Sequence, residues 1–119
     1  MQGLGGLEEA VMGVLWEAQG PLTVRDVLSE INRSRTLAYT TVMTVLDNLH
    51  RKGWVQRELS GRAYRYWPRE ARQEAAARAL REVLASSGDP DGVLLHFARS
   101  ASEHESTILR RALGERTGQ

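Results

Sequence analysis

Residues Leu37–Pro68 read LAYTTVMTVLDNLHRKGWVQRELSGRAYRYWP, and this stretch decides the fold. Val42, Val45, Leu46 and Leu49 recur every three or four residues, the spacing of one buried helix face. Thr40, Thr41, Val42, Thr44 and Val45 are β-branched, which alone disfavours a helix. The apolar period overrides that, and Gly53 follows where a left-handed C-cap belongs, with Trp54 placed for its hydrophobic contact. Trp54–Leu59 and Arg62–Trp67 then read as two strands around a Ser60-Gly61 turn, closed by Pro68. Helix, glycine stop and hairpin form the second half of a winged helix-turn-helix.

Charge sharpens this reading. Between Arg33 and Arg69 stand eight Lys/Arg against Asp47 and Glu58, a net +6 in a chain whose whole charge is +1. Positive charge gathered in one segment of a near-neutral protein is an electrostatic footprint for phosphate.

Upstream, a first helix is expected from about Leu7 to Ala18, carrying Leu7, Val11, Val14, Leu15 and Ala18 inward and ended by Gly20-Pro21. Thr23 caps a second helix, with Asp26 completing a box-like pair and Val24, Val27, Leu28 and Ile31 buried. Arg33–Leu37 is the turn. Downstream of Arg69 the composition shifts to Ala, Arg and Glu. A fourth helix presents Ala76, Ala79, Leu80, Val83 and Leu84, and Ser86–Pro90 breaks it. Two short apolar segments follow, Val93–Ala98 and Ile108–Leu113. The expected architecture is mostly α with a small β wing: a winged helix-turn-helix domain over residues 1–69 and a helical dimerisation region over 70–119.

At 119 residues, 41% of them apolar, the chain suffices for one compact domain with an accessory segment. It has no cysteine, which removes disulfides, thiolate metal sites and a cysteine nucleophile. No apolar run reaches the roughly 18 residues of a membrane span, so a soluble, cytoplasmic protein with no membrane partner is expected. No nucleophile elbow or phosphate-binding glycine loop is present, and an enzyme is not expected. His50, His96 and His104 are scattered, with only Glu103 and Glu105 beside His104, so neither a metal nor another cofactor is expected.

Opposite the apolar stripe, Thr40, Met43, Thr44, Asp47 and Arg51 share one face of the third helix. Threonine hydroxyls can bond base edges or phosphates, and Met43 can press on a thymine methyl. Arg51, Lys52 and Arg62 are placed to neutralise phosphates. The alternative is a solvated helix face, and Asp47, which phosphate would repel, pairs most simply with Arg51 four residues on. Of Tyr39, Tyr64, Tyr66, Trp54 and Trp67, most close the core beneath the wing, with Tyr39 the exception at the helix start. The tail is too small to bury a core by itself. Its Leu80, Val83, Leu84, Leu94, Leu95, Phe97, Ile108, Leu109 and Leu113 either cover the head or meet a second copy in a two-fold dimer.

Three blocks, LEEAVMGVLWEAQGPLTVRDV, LAYTTVMTVLDNLHRKGWV and RAYRYWP, resemble the BlaI/MecI-type penicillinase repressors of bacteria, often grouped with the copper-responsive CopY repressors. The resemblance implies a homodimeric winged-helix repressor that occupies a palindromic operator on double-stranded DNA. It implies that Thr40, Thr41, Met43 and Thr44 touch DNA and that Arg62 lies near the wing tip; Tyr39 joins them as a candidate contact from its own place at the helix start. In β-lactam-responsive members a sensor-protease pathway cuts the tail at an Asn-Phe bond; the matching dipeptide here is His96-Phe97, with histidine in place of asparagine. The cysteine-pair metal site of the copper-responsive relatives has no counterpart. A winged-helix protein-interaction module and a metal-responsive regulator using His96 and His104 are the competing readings.

Overall fold

The computed structural model describes Met1 and residues 3–117. Among the described residues, six helices and one hairpin follow in the order α1 (Gly6–Glu17), α2 (Val24–Ile31), α3 (Tyr39–Arg51), β1 (Val55–Ser60), β2 (Ala63–Pro68), α4 (Arg72–Ser86), α5 (Pro90–Ser100) and α6 (Glu103–Thr117). The expected mostly α fold with a β wing is the one observed.

Local chemistry sets the boundaries. Thr23 Oγ1 accepts the Asp26 backbone N–H at 3.1 Å, and Asp26 accepts the Thr23 N–H at 3.0 Å, a reciprocal cap that starts α2. Asn32 closes the turn before α3 from both sides. Its amide donates to the Leu37 carbonyl at 3.1 Å and its oxygen accepts the Leu37 N–H at 2.8 Å. At the end of α3 the Trp54 N–H reaches the Leu49 carbonyl and the Gly53 N–H that of His50, a Schellman pair around Gly53 at φ +84°. A side chain at that φ is strained, and a Cβ would also stand 3.4 Å from the Arg69 guanidinium. Gly53→Ala is therefore expected to cost about 1–2 kcal/mol, lowering the melting temperature by roughly 5–15 °C in a thermal denaturation followed by circular dichroism.

The hairpin departs from the expected turn by one residue. Ser60 pairs with Ala63, so Gly61 and Arg62 form the loop rather than Ser60 and Gly61. Glycine at positive φ (+67°) followed by a residue at negative φ is the type II′ pattern, which demands glycine first. That register puts Arg62 at the tip. Leu22 adds a short antiparallel bridge to Tyr66, with N–H···O distances of 2.8 and 2.9 Å in the two directions.

The chain forms two compact units, Met1–Ala79 and Leu80–Gln119. The first unit holds the core: Val11, Met12 and Leu15 of α1, Val24, Val27 and Ile31 of α2, Val42, Val45, Leu46 and Leu49 of α3, then Trp54, Val55, Tyr66 and Ala75. Leu7, Val14 and Leu28, expected inside, are only partly buried, and Met12 takes the central place in α1. The first unit runs past the Arg69 boundary because α4 begins on the head. Ala75 is fully buried, Trp16 donates to the Glu70 carbonyl at 3.1 Å, and the Arg78 guanidinium lies 4.9 Å from the Trp54 ring centre.

The second unit is longer in helix than its apolar segments suggested, for a capping reason. Asp89 accepts the Gly92 N–H at 3.1 Å with Pro90 at the first helical position, and Ser102 and Glu105 cap α6 reciprocally at 3.1 and 2.8 Å. From Leu80 to Arg116 no described residue is buried.

Candidate nucleic-acid interface

Burying Val42, Val45, Leu46 and Leu49 leaves the opposite face of α3 in solvent. Thr40, Met43 and Thr44 are exposed on it, Thr41 is half-buried at its margin, and Tyr39 opens the helix, 41% exposed. Arg62 stands exposed at the wing tip. Between α2, α3 and the wing lies a cleft of about 510 Å³ lined by Arg25, Tyr39, Met43, Asp47, Arg62 and Tyr64 among others. A helix edge of hydroxyls and a thioether beside a cationic ribbon offers donors, acceptors and an apolar contact, the kinds of group that read base edges in a major groove.

Two cations expected at phosphates are held differently. Lys52 Nζ lies 2.8 Å from Glu8 Oε1, answering a carboxylate that is almost fully buried at the start of α1. The Gly5 N–H, then Lys52, hold that carboxyl below its usual range against the opposing effect of burial. Lys52 thus ties α3 to α1. Arg51 remains exposed and bonds the Asn48 side chain, not Asp47.

Asp47 instead reaches across to the wing, its Oδ1 2.8 Å from Arg57 Nη1. The Arg57 guanidinium also lies over the Tyr64 ring, 4.2 Å from its centre. Partial burial disfavours the Arg57 charge, but the Tyr66 hydroxyl and Asp47 outweigh it and raise its pKa. Burial pushes the Tyr66 phenol up in turn. Tyr66 and Trp54 are core residues as expected; Tyr64 is exposed and joins Tyr39 as a second exception.

Arg25 was not singled out in the sequence, yet its guanidinium lies 5.3 Å from the Tyr39 ring centre, on the same edge. The available signal was its place in the first turn of α2, beside the cap. The Thr23 N–H is the main cause holding the Asp26 carboxyl low, the Thr23 hydroxyl contributes next, and Arg65 on the wing adds a smaller pull.

In the tail, Leu80, Val83, Leu94, Leu95, Phe97, Ile108, Leu109 and Leu113 are exposed and Leu84 is half-buried. His96 and Phe97 fall in the middle of α5. Among the described residues no three His, Asp or Glu side chains are grouped to hold a metal ion, and no helix is long and apolar enough to cross a membrane.

Three packed helices, a hairpin wing and an exposed polar edge on the third helix define a winged-helix DNA-binding regulator. The chain belongs to the penicillinase repressor family, whose family model matches residues 4–115. It is 44% identical over 115 residues to the transcriptional regulator BlaI of Mycobacterium tuberculosis, in strains CDC 1551 and H37Rv alike, covering 94% of this chain and 83% of the relative. In fold it is similar to a MarR/EmrR-family transcriptional regulator from Acinetobacter sp. ADP1 (TM-score 0.52, 18% identity, 98% of this chain and 76% of that one). FabT of Streptococcus pneumoniae, solved in complex with DNA, aligns with a TM-score of 0.51 at 19% identity, over 98% of this chain and 76% of that one.

Proposed function

We propose that this protein represses transcription as a two-fold dimer on a palindromic operator in the cytoplasm, each head inserting α3 in the major groove. Tyr39, Thr40, Thr41, Met43 and Thr44 face base edges and the adjoining backbone, while Arg25, Arg51 and Arg62 neutralise phosphates. The observation that carries this reading is the solvent-facing Thr40–Met43–Thr44 edge beside Arg62, in a head whose apolar face is otherwise consumed by its own core. The unburied tail supports pairing, since helices that leave Leu94, Leu95, Phe97, Ile108, Leu109 and Leu113 in water without a core of their own call for a partner surface. The family resemblance points to tail proteolysis by a regulatory protease as the release step. His96-Phe97 would have to leave the α5 helix before a protease could cut it.

The test begins with duplexes selected by the protein from a randomised pool. Thr44→Ala is expected to weaken the selected duplex by about 1–2 kcal/mol, roughly tenfold, and to leave mixed-sequence DNA unchanged. Arg62→Ala should weaken both and flatten the salt dependence by about one phosphate. Selection that enriches no sequence removes the repressor reading and favours a protein-interaction module.

A further inference from the structure

Asp47 lies on the very edge of α3 that faces DNA, three residues past Thr44, with its side chain 54% exposed. A carboxylate there repels phosphate, so its presence calls for a physical reason. The reason lies in its partner. Arg57 Nη1 is 2.8 Å from Asp47 Oδ1, and its guanidinium lies over the Tyr64 ring, 4.2 Å from the ring centre. Its side chain is only 24% exposed. Two elements, α3 through Asp47 and β2 through Tyr64, therefore hold one neutralised cation of β1 at the cleft that Arg25 and Arg62 also line.

Given the DNA-binding reading above, on which this rests, we infer that Asp47 is a specificity-determining residue: it withholds Arg57 from phosphate and fixes the wing to the recognition helix. Arbitrary duplex then meets one cation fewer, so its binding, which is almost wholly counterion release, stays weak. On the operator the loss is offset, because the wing is already held at one distance from the helix that the bases seat, and preorganisation lowers the cost of binding. Discrimination rises through weaker binding to the wrong sequence.

Anisotropy titrations on a mixed-sequence duplex, over a range of salt concentrations, separate the possibilities. Asp47→Asn keeps the size of the side chain, frees Arg57, and should steepen the log K against log salt slope by about one contact, with affinity up roughly five- to tenfold near 0.1 M salt. Arg57→Gln alone leaves Asp47 unpaired toward the phosphates and should weaken binding to the same duplex, so the charge of Arg57 is read in the Asp47→Asn background. The double variant should return to the wild-type slope. On the selected duplex, Asp47→Asn should change affinity by less than about threefold, so the ratio between the two duplexes falls. If the double variant falls about one contact below the wild-type slope, Arg57 is itself a phosphate contact and the inference is overturned; an unchanged slope in Asp47→Asn, or a double variant as steep as Asp47→Asn, overturns it equally. A wild-type protein that binds no duplex in a salt-dependent way removes the underlying DNA reading instead.

Discussion

Replacing Phe97 by glutamate is expected to leave the protein a monomer of about 13.3 kDa and to weaken operator binding by about 100-fold or more. Phe97 is 48% exposed, and Leu94, Leu95, Ile108, Leu109 and Leu113 near it in sequence are exposed to a similar degree. Monomeric proteins seldom leave so many large apolar side chains in water, and covering them recovers roughly 25 cal/mol per Å². A carboxylate buried in their place costs several kcal/mol. In a two-fold interface every substitution occurs twice, so the penalty doubles. Once the tails separate, each head binds its half-site alone and loses the effective concentration that the first bound head supplies to the second, a factor of about 10²–10⁴. Sedimentation equilibrium and anisotropy on the same preparation check both parts, with far-ultraviolet circular dichroism confirming retained helix. A Phe97→Glu protein that stays dimeric, or a proven monomer with unaltered operator affinity, refutes the mechanism.

The parts of this fold that were legible in the sequence are those governed by neighbours a few residues apart. The period of Val42, Val45, Leu46 and Leu49 dictates which face of α3 goes inward, and hence which face remains for DNA. The Thr23–Asp26 cap and the Gly53 stop are local hydrogen-bond chemistry and fell where expected. The features that were missed depend on separations the sequence does not show. Asp47 had a plausible partner in Arg51 at helical spacing, but the wing brings Arg57 closer, and only the register of β1 against β2 reveals that. Lys52 looked like one more surface cation until α1 set the buried Glu8 beside it. Shifting the turn to Gly61-Arg62 follows from a rule that was available, that a type II′ turn takes glycine first, yet Ser60-Gly61 satisfied composition equally well. The head's extension to Ala79 was hidden because one alanine, Ala75, carries the burial on α4, and alanine gives almost no periodic signal.

Leu46→Ala is expected to have the largest effect on stability, and it separates folding from recognition. Leu46 is fully buried in α3, within a core that joins all three head helices to the base of the wing. Removing its isobutyl group loses transfer energy and leaves a cavity, costing about 2–5 kcal/mol of a total that for a domain of this size is only about 5–15 kcal/mol. The melting temperature should fall by roughly 10–30 °C. Because Leu46 points away from the edge carrying Thr40, Met43 and Thr44, the fraction still folded at low temperature should bind the selected duplex with wild-type affinity and salt slope. Thr44→Ala should do the reverse, keeping its melting temperature within about 4 °C, as exposed surface substitutions do, while losing operator affinity. The contrast follows from helical geometry: residues two apart on one helix, 44 and 46, face opposite sides, one toward the core and one toward the groove. If cold Leu46→Ala protein, folded by circular dichroism, still fails to bind, the two faces are coupled and the buried stripe does more than hold the edge in place.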